Sequence, residues 1–290
     1  SITLRQEYLD MLDEEYKLAS VTSILDAAPG DVQDTDQANV IKIAKMALQG
    51  LGDYNRDTGY VSGDATLTWE THTFSQDRGR RFDVDTMDDQ ETANIAFGRL
   101  AGEFVRTKTA PEFDAYRLTT YAANAIANSH AATAVLAAGA DVLAALRVAA
   151  SAMDEAEVPM ERRILFITPT LDGLIADLAT TVSREVMNKF SSKILVPQTR
   201  FYTAITQYDG STPGQEAGGY IKNVSTGKNI NFLIAHPSAV LQIMKHRVTK
   251  IIPPELNQDK DGWAYFFRAY HDAFVLENKQ AGLYCHYSTS

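Results

Sequence analysis

Residues 50–85 read GLGDYNRDTGYVSGDATLTWETHTFSQDRGRRFDVD, and with residues 40–49 they form an extended, polar, glycine-rich segment. More than half of residues 40–85 are charged, Gly, Thr or Ser. Strand-like runs such as TLTWETHTF (residues 66–74) alternate with glycines that favour turns. A two-stranded ribbon alone in water is only marginally stable. We therefore expect this ribbon to lie on another surface, most simply that of a second copy of the chain.

The composition indicates a globular chain with room for a large core and excludes several kinds of partner. The chain has 290 residues and a formal net charge of −10. Tight phosphate binding needs clustered Lys and Arg, so we do not expect direct packaging of nucleic acid, although an acidic shell could still surround DNA. No apolar run approaches the roughly 20 residues that span a bilayer. A single cysteine, Cys285, leaves no intrachain disulfide and favours synthesis in a reducing cytoplasm.

The first half of the chain predicts mostly helices around the ribbon. Apolar spacing predicts a helix over residues 4–25, followed by a linker over 27–37. Residues 81–85 alternate as a strand, with Phe82 and Val84 on one face. A helix should follow over residues 88–106, with acids in its first turn and Pro111 breaking the chain beyond it. Two further helices are predicted over residues 115–128 and 130–153.

The second half predicts alternating strands and helices. Residues 163–178 and 230–244 each suggest a buried strand, a polar residue, a proline at the first helical position and an amphipathic helix. A strand pair is expected over residues 193–208, then a glycine-rich loop over 209–219, then strands over 263–270 and 271–279. The fold class predicted is α+β, with a mixed sheet and an appended arm and ribbon.

The motif survey gives no cofactor and no metal site. There is no G-x-G-x-x-G, and Gly227-Lys228 lacks the upstream glycine loop and the Ser/Thr of a P-loop. The acidic run over residues 83–91 fails the EF-hand pattern at Met87. His271 and Asp272 could be a base and its orienting acid, but neighbours along a strand point to opposite faces, which favours a strand-edge histidine. A triad assembled from distant residues stays open, and we expect Cys285 to be a small core residue.

One dense basic cluster lies near the end of the ribbon: Arg78, Arg80 and Arg81. It could form ion pairs with another subunit, bind phosphate, or be a solvated strand edge. Acids of similar number flank it, which disfavours phosphate. The other two hypotheses stay open from the residues alone.

The order of these segments (helical arm, extended ribbon, long helix, mixed α/β region) resembles the major capsid protein of tailed bacteriophages, whose fold is named after phage Hong Kong ninety-seven. Residues 50–92 resemble the extended loop that runs into the spine helix. Residues 104–117, FVRTKTAPEFDAYR, resemble the end of the spine and the following turn, and residues 270–287, YHDAFVLENKQAGLYCHY, resemble the C-terminal strands of the peripheral domain. The resemblance covers nearly the whole chain and is weakest over residues 207–228.

The resemblance implies a structural protein with no active site. Copies would form pentamers and hexamers and then an icosahedral head shell that encloses double-stranded DNA, without sequence-specific binding. The protein would be made in the host cytoplasm and reside in the virion, with no membrane. Its further partners would be scaffold, portal and decoration proteins.

The resemblance also assigns domains and contacts. The domains would be an N-terminal arm (1–39), an extended hairpin loop (40–85), the spine helix with part of the peripheral domain (86–128), an axial domain (129–248) and a return to the peripheral domain (249–290). The expected contacts with other subunits are Tyr54, Arg56, Trp69, Arg78, Arg80, Arg81, Asp88, Asp89, Lys250, Pro253 and Glu255.

Two features vary within that family. Some members carry a scaffolding segment that is removed in maturation, and this chain starts close to where a processed chain would, so either cleavage or a separate scaffold protein is expected. Some members crosslink through a lysine on the ribbon. Here Lys42 and Lys45 lie at its base and no lysine lies at its tip, so we predict no such bond. The alternatives are an encapsulin, which is a bacterial nanocompartment with the same fold, and a cytosolic α/β enzyme.

Overall fold

The structure is a computed structural model that describes residues 20–26, 32–34, 39–87, 95–178 and 180–289, with the backbone alone at 32–34 and 95–99. Most of the predicted N-terminal helix and linker therefore lies outside the described residues. Residues 20–26, the end of that predicted helix, form a short 3-10 turn at Ser23–Leu25 instead. The chain divides into a ribbon unit, Ala28–Gln76, and a body unit, Ser1–Ala27 with Asp77–Ser290.

The ribbon unit contains a three-stranded antiparallel sheet of order β1-β2-β3. Its strands are β1 (Val32–Asp34), β2 (Val40–Leu48) and β3 (Ala65–Thr73). β2 and β3 pair without interruption from Val40 opposite Thr73 to Leu48 opposite Ala65. β3 confirms the strand predicted from the alternating run TLTWETHTF.

The strand predicted over residues 81–85 is part of a longer strand, β4 (Gln76–Asp85). It lies at the edge of a sheet with β11 (Val240–Ile252) and β12 (Gly262–Val275), in the order β11-β12-β4. From Asp77 onward β4 belongs to the body unit, whereas the sequence assigned residues up to 85 to the ribbon. The predicted alternation is present: Phe82 and Val84 pack in a body-unit core cluster, and their neighbours Asp83 and Asp85 are exposed. Burial of these two apolar side chains explains why the strand joins the body.

A long helical segment follows, formed by α1 (Ile95–Phe104), a π-helical turn (Val105–Thr109) and α2 (Ala110–Ala127). The predicted start at Asp88 lies outside the described residues. The predicted break at Pro111 is wrong. Pro111 lies in the first turn of α2, where a missing N–H costs little, and the wider π turn precedes it.

The remaining elements form a five-stranded sheet, a two-stranded sheet and the rest of the β11-β12-β4 sheet. The five-stranded sheet has the order β5-β13-β10-β6-β7, and β8 pairs with β9. Their bounds, with those of α3, α4 and α5, are: β5 (Ala131–Thr133), α3 (Gly139–Glu155), β6 (Ile164–Ile167), α4 (Pro169–Leu178), α5 (Thr181–Met187), β7 (Ser192–Leu195), β8 (Ile205–Gln207), β9 (Tyr220–Lys222), β10 (Ile230–Ala235), β11 (Val240–Ile252), β12 (Gly262–Val275) and β13 (Leu283–Tyr287).

These elements confirm some local predictions and correct others. β6 followed by α4, with Pro169 at its start, confirms the prediction for residues 163–178. The matching prediction for 230–244 is wrong after β10, because Pro237 begins a 3-10 turn and strand β11 follows it. The helix predicted over 130–153 is a short strand, β5, and then α3. One long strand, β12, replaces most of the two strands predicted over 263–279.

Three core clusters lie among the described residues of the body unit, and two of them include residues of α2. One cluster joins α2 residues such as Leu118 and Tyr121 to the five-stranded sheet and to the β11-β12-β4 sheet. A second packs α3 and α4 on the five-stranded sheet. A third packs α1 and the start of α2, through Phe113, on the β11-β12-β4 sheet. The predicted α+β class is confirmed.

Candidate assembly surfaces

The ribbon carries an exposed apolar face, which we call the ribbon face: Met46, Leu48, Leu67 and Trp69. Met46 pairs directly with Leu67, and Ala44 pairs with Trp69. Since residues two apart on a strand share a face, these side chains line one side of the hairpin. Their exposed fractions are 60% for Met46, 71% for Leu48, 57% for Leu67 and 47% for Trp69.

The tip of the ribbon is a tight turn that carries two aromatic side chains. Asn55 and Gly59 bond each other's backbone in both directions, with N···O distances of 3.2 and 2.8 Å. Gly59 has φ +83°, which favours glycine. The rings of Tyr54 and Tyr60 pack edge to face with centroids 4.9 Å apart, and both are exposed. Arg56 is exposed at the turn.

The four side chains of the ribbon face lie next to one another on two paired strands. Contiguous exposed apolar patches mark interaction sites, and burying each large side chain contributes about 1.5–3 kcal/mol. The ribbon face can therefore supply several kcal/mol of association free energy. Of the contact residues expected from sequence, the structure places Trp69 on this face and Tyr54 and Arg56 at the tip.

The three arginines each have partners within their own chain. Arg78 donates from Nε to Glu112 Oε1 at 2.6 Å and from Nη2 to the Tyr208 carbonyl at 2.8 Å. Arg81 donates to Asp83 at 2.8 Å and to Asp259 at 3.3 Å, and these acids raise the pKa of its guanidinium. The hypothesis that they contact another subunit stays a prediction.

Arg80 explains the glycines of the loop over residues 209–219. Its Nη2 donates to the Glu216 carbonyl at 2.9 Å. A Cβ at Gly210 would lie 2.7 Å from Arg80 Nη1, and one at Gly218 would lie 3.4 Å from it. Both glycines also have positive φ, +77° and +66°. The loop wraps this guanidinium, so Arg80 positions the loop against β4.

The other predicted contacts that the structure describes lie on and after β11. Lys250 is exposed near the end of β11. Pro253 precedes a 3-10 turn, Pro254–Leu256, in which Glu255 is exposed and Leu256 is 68% exposed. This turn begins the connection from β11 to β12. Asp88 and Asp89 lie outside the described residues.

The structure also shows a polar cluster that the sequence did not suggest, which we call the Asp114 clamp. Asp114, on α2, is fully buried. Its carboxylate accepts hydrogen bonds from the Ser20 hydroxyl at 2.7 Å and the Thr22 hydroxyl at 2.8 Å, and pairs with Arg200 at 3.1 Å. Arg117 donates to the Thr22 hydroxyl at 3.0 Å. The clamp holds residues 20–26 on α2, and no local motif marks a carboxylate whose partners are this distant in sequence.

The candidate catalytic residues are arranged as core residues. His271 is fully buried, its ring centroid lies 3.8 Å from that of Phe113, and burial lowers its pKa to about 3. Asp272 accepts from the Tyr116 hydroxyl at 2.6 Å instead of orienting His271. Cys285 is buried, which raises the pKa of its thiol.

The described part of the chain holds neither a metal-binding cluster nor a membrane-spanning helix. No group of three or more His, Cys, Asp or Glu side chains there is placed to hold a metal ion. None of the helices described is long and apolar enough to cross a membrane.

Comparison with solved structures identifies the fold. The mature capsid of bacteriophage PhiM1 has a TM-score of 0.60 and 13% identity over 91% of this chain and 90% of that one. The capsid of cyanophage P-SCSP1u has a TM-score of 0.57 and 13% identity over 91% of this chain and 85% of that one. A virus-like particle from Pyrococcus furiosus has a TM-score of 0.54 and 10% identity over 97% of this chain and 98% of that one. No family model matches the sequence, and no curated protein is significantly similar. The chain has the tailed-phage capsid fold that the resemblance implied.

Proposed function

We propose that this chain is the major capsid protein of a tailed bacteriophage. Copies assemble through pentamers and hexamers into an icosahedral shell around double-stranded DNA. The exposed ribbon face carries the proposal, because Met46, Leu67 and Trp69 form an apolar surface that a second subunit would cover. The fold it shares with phage capsids supports the same role.

The proposal includes the partners and sites that the resemblance implied. Scaffold, portal and decoration proteins complete the head, and the DNA is enclosed without sequence-specific contacts. The contact residues are those of the ribbon, the arginines near its end, Asp88 and Asp89, and the Lys250–Glu255 region. The role is structural and not enzymatic.

The ribbon face is tested by adding charge to one side of β3. Leu67→Glu with Trp69→Glu places two carboxylates on the apolar face. Thr66→Glu with Thr68→Glu is the matched control, because it adds the same charge to the same strand on the opposite face. Sedimentation and negative-stain images should show shells for the unmodified chain and the control, and only unassembled, folded chain for the first pair.

Equal shell yield from both double variants would refute the role of the ribbon face. If circular dichroism shows a loss of secondary structure in the Leu67→Glu, Trp69→Glu chain alone, these substitutions act on folding and not on assembly. A chain that sediments as a stable monomer or dimer at physiological salt, without shells, would refute the capsid proposal itself and favour the enzyme alternative.

A second candidate is an encapsulin-type nanocompartment shell, favoured by the similarity to the Pyrococcus furiosus virus-like particle over 97% of this chain. The content of particles from the natural source separates the two. Nuclease-protected DNA and attached tails indicate a phage head. A protein cargo without DNA indicates a nanocompartment.

A further inference from the structure

A serine and a histidine lie in contact at the turn between β10 and β11. Ser238 Oγ and His236 Nδ1 are 2.7 Å apart. His236 is 7% exposed, whereas Ser238 is exposed on the short 3-10 turn Pro237–Ala239. A base in contact with a hydroxyl is the arrangement by which proteins activate a serine. Neither residue belongs to the candidate assembly surfaces.

The hydrogen bonds of His236 determine which of its ring nitrogens carries the proton. Nε2 lies 3.0 Å from the Glu161 carbonyl oxygen, which can only accept, so Nε2 is the donor. Nδ1 of the neutral ring is then the acceptor. It receives the Ser238 hydroxyl at 2.7 Å and the Ser238 N–H at 3.2 Å. The hydroxyl therefore directs its proton at the ring nitrogen that can take it.

Backbone contacts from two neighbouring turns hold the pair in place. The His236 N–H donates to the Gly282 carbonyl at 2.8 Å, and the Ala239 N–H donates to the His236 carbonyl at 2.9 Å. A Cβ at Gly282 would lie only 2.7 Å from the Ala239 Cβ, so these turns pack closely. Arg162, which follows Glu161, has φ +64°, a conformation that is uncommon for residues other than glycine and that recurs at functional sites.

The surroundings of His236 keep its ring neutral. Burial lowers the pKa of His236, nearby positive charge lowers it further, and the hydrogen bond to Glu161 opposes both. The charged groups on the two neighbouring turns are Arg162, Arg163, Lys279, Glu161 and Glu277. The unprotonated ring, which is the form that can accept a proton, is therefore the form present at neutral pH.

We propose that Ser238 is a nucleophilic hydroxyl that accepts an acyl group from an activated ester, with His236 as its general base. Oγ attacks the ester carbonyl while its proton passes to Nδ1 of His236. The C–O bond to the leaving group then breaks, the proton passes from Nδ1 to the departing oxygen, and the acyl group stays on Oγ. Glu161 acts through His236 and is a positioning residue. This acylation site goes beyond the proposed shell function and does not depend on assembly.

Acetylation of the full chain by 4-nitrophenyl acetate tests the inference. After brief exposure at pH 7, peptide mapping by mass spectrometry gives the acetylation rate of each serine. Ser225 is the reference within the same chain, because it is also exposed on a turn, where its N–H donates to Asn223 Oδ1. We expect Ser238 to react about a hundredfold faster than Ser225, the lower end of what a positioned base contributes.

His236→Asn separates a general base from a cap of the 3-10 turn. The Asn side-chain oxygen can accept the Ser238 N–H in place of Nδ1, but it cannot take the hydroxyl proton. Acetylation of Ser238 should fall to the rate of Ser225, while circular dichroism shows unchanged secondary structure. Ser238→Ala should remove the label from this peptide and leave the rate at Ser225 unchanged.

The pH dependence gives a readout that a purely structural histidine would not change. Because neutral His236 is the base, the acetylation rate of Ser238 should be nearly level from pH 7 to pH 8. It should fall below about pH 6.5, the ordinary value for histidine, as the ring gains a proton. The rate at Ser225 should instead rise about tenfold per pH unit, because an unassisted serine reacts through its alkoxide.

Three outcomes would overturn the inference. The first is an equal acetylation rate at Ser238 and Ser225 in the unmodified chain, a comparison that needs no variant to fold. The second is an unchanged rate at Ser238 in the His236→Asn chain, which would make His236 a cap and nothing more. The third is a rate at Ser238 that rises with pH as steeply as the rate at Ser225.

Discussion

Replacing Asp114 with alanine should destabilise the body unit more than any change at an exposed ion pair. The substitution removes the acceptor for the hydroxyls of Ser20 and Thr22, for two backbone N–H groups and for Arg200. Asp114 is fully buried and the Arg200 side chain is 20% exposed. Water therefore replaces these bonds only in part.

The magnitude follows from this burial. Removing one partner of a buried ion pair costs about 3–5 kcal/mol, because the other partner is left uncompensated. Asp172→Ala is a matched control, since Asp172 pairs with Lys193 at 2.7 Å but both side chains are more exposed, at 19% and 41%. An exposed pair contributes about 0.2–1 kcal/mol. We therefore expect at least a threefold difference between the two losses.

The assay is urea unfolding of the unassembled chain, followed by circular dichroism, for the unmodified protein and both variants. Limited proteolysis provides a local measurement, because loss of the clamp should make residues 20–26 cleavable before the rest of the body unit. Equal losses of unfolding free energy for Asp114→Ala and Asp172→Ala, with no new cleavage at residues 20–26, would refute the role of the clamp.

Three further predictions concern single residues. Burial lowers the pKa of His271 to about 3, below the ordinary value near 6.5. Between these pH values the unfolded chain binds more protons than the folded chain, so the free energy of unfolding falls as the pH drops. His271→Phe should reduce the difference between the urea midpoints measured at pH 7 and pH 4.5, and an unchanged difference would contradict this prediction. Burial raises the pKa of the Cys285 thiol, so a thiol reagent should react only after unfolding, and rapid labelling of the native chain would count against this. Lys42 and Lys45 lie on β2 and not at the tip, so particles should dissolve to monomers on denaturing gels, and a high-mass ladder would show that the lysine argument is wrong.

Local patterns predicted those elements whose signals agree with their surroundings. Residues 163–178 carry a buried apolar run, a proline at a helix start and an amphipathic stretch, and they form β6 and α4. Residues 66–74 alternate and form β3. In both cases propensity, turn chemistry and burial favour the same structure.

The failures occurred where pairing with distant residues decided the structure. Pro237 resembles a helix start, but the chain after it pairs with β12 along its length, and this sheet overrides the local signal. The sequence places residues 76–85 in the ribbon, whereas Phe82 of β4 packs against Phe104 of α1 with ring centroids 4.8 Å apart. Sequence patterns carry no information on such partners.

The sequence also predicts some features of the candidate surfaces and not others. The ribbon was identified because its composition cannot form a core, and its apolar face depends on a register that the sequence does not give. The arginine cluster was visible, but its intrachain partners Glu112 and Glu216 lie 34 and 136 residues away. The Asp114 clamp was missed for the same reason, since Ser20 is 94 residues from Asp114.

The strand orders have a consequence for synthesis on the ribosome. β12 is the middle strand of its sheet, and β13 lies between β5 and β10 in the other. Residues 262–287 therefore complete both sheets, although their partners, such as β4, are translated much earlier. Pairing between such distant segments is slow and leaves early strands exposed in the meantime. A nascent chain that has not reached β13 lacks a finished body unit, so interrupted translation products should be degraded or held by chaperones before they compete with complete subunits.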